Sequence, residues 1–205
     1  MTANIRPYRS GDLDALYAIC LATGDAGRDA AALYRDPRIL GEIYVAPYAA
    51  FEPGFVLTAE DDTGVGGYIL GAADTRAFEA RLESEWWPNL RARHPDPGEH
   101  PRGADERMVR GIHHPRRAPP KVAQVFPAHL HMNLLPRLQG QGLGRHLLDC
   151  WLAMLRERGV AGVHLATGPR NPRAMRFYTR HGFHELAREG DVVWFGMELR
   201  QSSAA

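Results

Sequence analysis

Polar and apolar positions alternate across Asn4–Tyr8, the period of a strand, and the period then lengthens. Ser10-Gly11-Asp12 precedes Leu13, Leu16, Tyr17, Ile19 and Cys20, the spacing of a capped amphipathic helix. Helical or turn segments follow across Arg28–Tyr48. Gly54–Glu60 and Val65–Ala73 read as strands around Asp61-Asp62-Thr63-Gly64, which predicts a hairpin. From Arg76, the stripe Phe78, Leu82, Trp86 and Leu90 predicts a helix. His94–Pro101 and Gly111–Pro120, rich in proline, histidine and arginine, predict a long connection of the kind that is usually functional or disordered. After Val122 the order is strand, glycine turn, helix, strand, helix, strand. Asp191–Leu199 supplies a last strand and Gln201–Ala205 a frayed tail. No internal repeat interrupts this order, which predicts an α/β fold, a mixed sheet with helices on both faces.

The richest local pattern is Leu134-Leu135-Pro136-Arg137-Leu138-Gln139-Gly140-Gln141-Gly142-Leu143-Gly144-Arg145. The apolar strand Leu130–Leu135 runs into a glycine-rich turn, which opens into the amphipathic stretch from His146. Alternate glycines leave backbone N–H groups uncovered, and a helix start adds free N–H groups and a positive dipole end. Such a turn suits a phosphate or pyrophosphate. A nucleoside-triphosphate loop needs a lysine and a serine or threonine after the glycines, and none follows. A dinucleotide fingerprint needs G-x-G-x-x-G, whereas from Gly140 the spacing is one residue shorter.

The spacing Q-x-x-G-x-G after a strand and Pro136 resembles motif A of the GNAT acetyltransferase family. Asn171-Pro172-Arg173-Ala174-Met175-Arg176-Phe177-Tyr178-Thr179-Arg180-His181-Gly182-Phe183 resembles its motif B, with every element in place. Read physically, Asn171-Pro172 caps and starts a helix, Ala174, Phe177 and Tyr178 share a face, and Gly182 ends it. Arg38–Tyr48, Gly66–Thr75, Phe78-Glu79 and Trp86-Trp87-Pro88 are similar to the acetyltransferase-like domain of the animal O-GlcNAcases. Those domains lack the glycine loop and are regarded as pseudo-acetyltransferases. This chain keeps the loop and so resembles bacterial stand-alone relatives that hold acetyl-CoA.

The resemblance implies the GNAT acyl-CoA N-acyltransferase fold, in which two parallel strands splay and the pantetheine arm of acetyl-CoA lies between them. Carried over, those strands are Leu130–Leu135 and Gly162–Thr167, with Met132, Asn133 and Leu134 beside the acetyl end. Gly140, Gln141, Gly142, Leu143, Gly144 and Arg145 would hold the pyrophosphate. Asn171, with Ala174 and Phe177 on its helix, would meet the pantetheine or a phosphate. Tyr178 matches the family tyrosine that stands near the sulfur as general acid. The base stays open. His131, on a strand face with His129 and Asn133, has a suitable ordinary pKa, and Asp74, Asp105 and Glu106 are the acidic alternatives. Trp86-Trp87 and His113-His114 either wall an acceptor pocket or serve as core and solvated surface.

Composition narrows the partners. The chain has 205 residues with 25 basic against 24 acidic, which leaves no electrostatic footprint for nucleic acid or membrane. Cys20 and Cys150 read as buried thiols, and the histidines form no zinc pattern, so no metal is expected. No apolar run reaches a membrane span, no signal-peptide pattern opens the chain, and a cytoplasmic location is expected. The expectation is one domain over residues 1–205 with a helix-plus-loop insertion around 76–121. It would move an acetyl group from acetyl-CoA directly to a primary amine of a small molecule or polypeptide, as a monomer or homodimer. The rival reading is a coenzyme A-binding module that senses or scaffolds. A glycoside-processing role rests only on the animal fusion, with no paired-carboxylate motif behind it.

Overall fold

Seven strands form one sheet in the order β1-β2-β3-β4-β5-β7-β6 in the computed structural model, which describes residues 3–199. The strands are β1 (Asn4–Pro7), β2 (Leu57–Asp61), β3 (Gly64–Ala72), β4 (Ala128–Leu134), β5 (Gly162–Thr167), β6 (His184–Glu189) and β7 (Val192–Glu198). Every neighbouring pair is antiparallel except β4 with β5. The proposed tail Gln201–Ala205 lies outside the described residues. Among the described residues no helix is long and apolar enough to cross a membrane.

The two faces of the sheet bury different cores. On one face, α8 (Leu143–Glu157) presents Leu147, Leu148, Trp151 and Leu155, spaced to face inward at 3.6 residues per turn. Trp151 is fully buried, and its indole N–H donates to Phe55 O at 2.9 Å, so its one polar atom is satisfied. The helix lies so near the sheet that a Cβ on Gly71 would stand 2.6 Å from the Trp151 ring and 2.0 Å from His129 O. The opposite core joins β3 to α1 (Leu13–Ala22), α2 (Ile39–Tyr44), α3 (Ala46–Phe51), α4 (Thr75–Arg81), α5 (Trp87–Arg93) and α6 (Ala104–His113). β3 serves both cores, which explains its almost continuous burial.

Several boundaries differ from expectation. Gly54 belongs to a 3-10 turn, Pro53–Phe55, because Pro53 presets a turn and Val56 N–H bonds Pro53 O, so β2 starts later. Ser10–Asp12 is a 3-10 turn running into α1, and the Asp12 carboxylate accepts from Arg9 N–H and from Arg6 rather than capping forward. The helix from Thr75 passes through a π-helical turn, Leu82–Trp86. That wider turn shifts the apolar stripe by one residue, and Trp87 enters the core instead of Trp86. The second half of the expected long connection is partly helical. Gly111 lies in α6, and Val122 lies in α7 (Pro120–Val125), ahead of β4. Cys20 is buried as expected, whereas Cys150 is only partly so.

Candidate active site

β4 and β5 are paired only at Ala128 with Val163 and at His129 with His164. Beyond those two pairs they part, while β3 stays paired with β4 through Leu134. The opening is a cleft of about 150 Å³. Of the residues singled out from the sequence, His131, Met132, Asn133, Asn171, Ala174 and Tyr178 line it. A broader surface hollow of about 680 Å³ between Arg76, Arg117 and Glu189 holds none of them.

The strand's alternation sets what this opening presents. Leu135 N–H donates to Gly66 O at 2.8 Å, so odd-numbered residues of β4 turn their backbone groups to β3. Leu134 and Met132 therefore point N–H and C=O toward the open side. Leu134 O is taken by Gln139 Nε2 at 2.6 Å, and Arg173 in turn donates to Gln139 Oε1. The Met132 and Leu134 N–H groups are thus aimed into the cleft. Asn133 lines the cleft too, but it does not offer its backbone to it. Its backbone faces β3, and its side-chain amide donates to Thr23 Oγ1.

At the cleft's outer end, Pro136–Leu138 forms a 3-10 turn, and the chain enters α8 through Gly140 and Gly142 at φ of 80° and 79°. These left-handed conformations suit glycine, and the space where a Cβ would stand at either one is open. Among the described residues, the N–H groups of Gly140, Gln141, Gly142, Leu143, Gly144 and Arg145 meet no acceptor, and the first intrahelical bond is His146 N–H to Gly142 O. Together with the dipole of a 15-residue helix they make a cradle of donors with the chemistry to take an anion. Gly144 stands against Phe177 and Leu134, which seats the cradle at the mouth of the cleft. The Arg145 side chain is exposed and reaches back to Asp149.

α9 (Pro172–Arg180) closes the other side. Asn171 caps it, accepting from Ala174 N–H at 3.0 Å. Tyr178 is 6 % exposed and packs edge-on against Phe177 and Phe183. Its hydroxyl has no hydrogen-bond partner among the described residues, yet it is not sealed from solvent. It therefore opens on the cleft. Burial pushes its pKa up, so the hydroxyl stays protonated at neutral pH.

On the opposite face of β4, His129 and His131 both reach Tyr48, at 2.7 and 3.1 Å from its hydroxyl. His129 Nδ1 lies 2.9 Å from Thr75 Oγ1. Burial and the neighbouring histidines push His129 well down, and burial with His164 lowers His131 to about 4. His131 is therefore neutral at physiological pH, a weaker base than its ordinary pKa promised. Tyr48 and Thr75 were not singled out from the sequence, and His129 was placed beside His131 without a role. Two histidines on one strand face were the visible signal, but Tyr48 lies 81 residues from His129.

The remaining expectations fall elsewhere. Asp74 caps α4, Asp105 accepts from Arg35 N–H, and Glu106 accepts from Arg102 N–H, and none of them lines the cleft. Trp87 is core, and Trp86 donates to Glu42 O. His113 bonds His94 O and His114 bonds Asp96, so this pair ties its loop down. Asp36, Glu42 and His94 bring ligand atoms within 4.8 Å of one another, a grouping that linear spacing did not disclose. Arg93 already holds Glu42 Oε1 at 2.9 Å, and the group lies outside the cleft lining.

Comparison with known proteins agrees with this geometry. The sequence pattern of the acetyltransferase (GNAT) family matches residues 112–183. The chain is 42 % identical to the protein in the crystal structure of SsHAT, with a TM-score of 0.91, covering 98 % of this chain and 100 % of that one. It is 25 % identical over 201 residues to the O-GlcNAcase of Rattus norvegicus, covering 95 % of this chain but only 22 % of that protein. A mycothiol acetyltransferase of Thermomonospora curvata is 34 % identical over 119 residues, 55 % of this chain and 38 % of that one.

Proposed function

This chain belongs to the GNAT acetyltransferase family, and from that premise we propose that it transfers an acetyl group from acetyl-CoA to a primary amine within the β4–β5 cleft. The observation that carries the reading is the continuity of two features. A row of unpaired N–H groups at Gly140–Arg145 lies beside a cleft into which the Met132 and Leu134 N–H groups point. Free N–H donors suit a pyrophosphate at the turn, and the gap between the parted strands suits a thin pantetheine arm.

Acetyl-CoA supplies an activated acetyl carbon on a good leaving group. The chain has the rest to do. The free N–H groups of β4 offer a hydrogen bond to the acetyl oxygen, where negative charge builds during attack. Tyr178 holds a proton above the cleft for the departing sulfur. Asn171 and Ala174 form the wall that keeps the arm between the strands, and Phe177 backs the glycine turn at Gly144. His131 is our choice of proton acceptor for the amine, since Asp74, Asp105 and Glu106 are engaged elsewhere. We take residues 1–205 as a single acetyltransferase unit with an insertion around 76–121. The mycothiol acetyltransferase relative supports a small-molecule amine as acceptor.

The likeness to O-GlcNAcase favours a second reading, a coenzyme A-binding module without turnover. The two are separated by thiol release from acetyl-CoA over a panel of amines, run beside calorimetry with coenzyme A. Amine-dependent thiol release supports the enzyme. Tight binding with no release on any amine supports the module.

A further inference from the structure

The hydrogen bonds behind His131 have a direction, and the direction starts at a backbone carbonyl. Pro127 O can only accept. Thr75 Oγ1 lies 2.7 Å from it, and the single Thr75 hydroxyl proton must occupy that contact, because two oxygens so close without a proton between them repel. Thr75 Oγ1 can then only accept from His129 Nδ1, at 2.9 Å. His129, neutral in its buried site, therefore carries its proton on Nδ1 and leaves Nε2 bare. Nε2 accepts the single Tyr48 hydroxyl proton at 2.7 Å. With that proton spent, Tyr48 O accepts from His131 Nε2–H at 3.1 Å. The last nitrogen in the chain, His131 Nδ1, is left without a proton. It has no partner among the described residues, and it is not sealed from solvent.

We propose that Thr75, His129 and Tyr48 form a directional hydrogen-bond chain that holds His131 in its Nε2–H tautomer, presenting a bare Nδ1 as the proton acceptor for the attacking amine. The use of Nδ1 rests on the acetyl-transfer reading; the tautomer does not. In the reaction, the amine lone pair forms the C–N bond as the C–S bond breaks. The amine proton passes to His131 Nδ1, and the sulfur takes the Tyr178 proton. Solvent then carries a proton from His131 back to Tyr178, so the balance closes. Thr75, His129 and Tyr48 touch no reactant and are positioning residues. The arrangement is well fixed. Tyr48 is 5 % exposed and stacks on Phe78 at 4.5 Å, while Thr75 is 3 % exposed and also donates its backbone N–H to Pro127 O. The titratable groups packed around the His131 ring are Tyr44, Tyr48 and His129, with His164 beyond His129.

Nitrogen-15 spectra of the histidine side chains at neutral pH test the tautomer directly. The expected result is a proton on Nε2 and a bare Nδ1 for His131, and the reverse for His129. Thr75→Val keeps the side-chain shape and removes the anchor. It should leave the fold intact and shift His131 toward a mixture of tautomers, although Thr75 does not touch His131. Tyr48→Phe should lower kcat on the order of tenfold to a hundredfold, up to the low end of what a proton-transfer group itself supplies, while coenzyme A affinity stays unchanged. A proton on Nδ1 of His131 in the unaltered protein, or a His131 signal indifferent to Thr75→Val, overturns the chain. The expected tautomers with no turnover on any amine would instead defeat the acetyl-transfer reading and leave the chain standing.

Discussion

Tyr178 and Tyr48 are both buried tyrosines, and only their hydroxyls tell them apart. The Tyr178 hydroxyl faces the cleft without a protein partner, whereas that of Tyr48 is held between two imidazoles. Tyr178→Phe should therefore leave the packing against Phe177 and Phe183 intact and change stability by less than about 1 kcal/mol. Loss of the proton donor should lower kcat on the order of a hundredfold with coenzyme A affinity preserved, as steady-state kinetics and calorimetry would report. An unchanged kcat would remove Tyr178 from the chemistry. The sequence made Tyr178 legible because its surroundings, from the Asn171 cap to Gly182, are contiguous. The links from Tyr48 and Thr75 to the two histidines stayed hidden because they span 54 to 83 residues and no local spacing encodes them.

Among the elements, the glycine turn into α8 makes the sharpest demand. Gly142 is left-handed with open space around its missing Cβ, so the backbone angle and not crowding calls for glycine. Gly142→Ala should cost about 1 kcal/mol in denaturant melts and keep coenzyme A binding. Gly142→Glu places a carboxylate among the free N–H groups and should abolish binding by calorimetry; unchanged affinity would overturn the phosphate cradle. Strong helices and the turn were readable because their signals are local and periodic. The π-turn at Leu82–Trp86 was not, since one extra residue in the spiral leaves no mark on composition and shifts every later apolar position. α6 escaped for another reason: its stripe is short, Met108, Val109 and Ile112 in an otherwise mostly charged stretch between two proline-rich segments.

For the molecule as a whole, the buried histidines set the response to acid. His129, His131 and His164 are all held below their ordinary value, chiefly by burial. The unfolded chain then binds more protons than the folded one below about pH 6.5. The stabilisation is complete above that point and is lost as pH falls toward about 4, the value for His131. His131 alone should contribute a loss on the order of 2 kcal/mol, allowing for the part of its ring that reaches solvent. Melting temperature should drop steeply from pH 6.5 to 4.5, and His131→Asn should flatten that slope. A profile flat across the window would contradict the burial.

The two-pair junction of β4 and β5 has a bearing on how the molecule breathes. It divides the sheet into a four-strand leaf and a three-strand leaf joined along a short seam. Backbone protons along that seam have no ladder to guard them, so in hydrogen-exchange measurements Met132 and Leu134 should trade theirs for deuterium far sooner than their neighbours paired to β3. A cargo lying in the seam would slow that exchange, and the strand would report its own occupancy without any chemistry taking place.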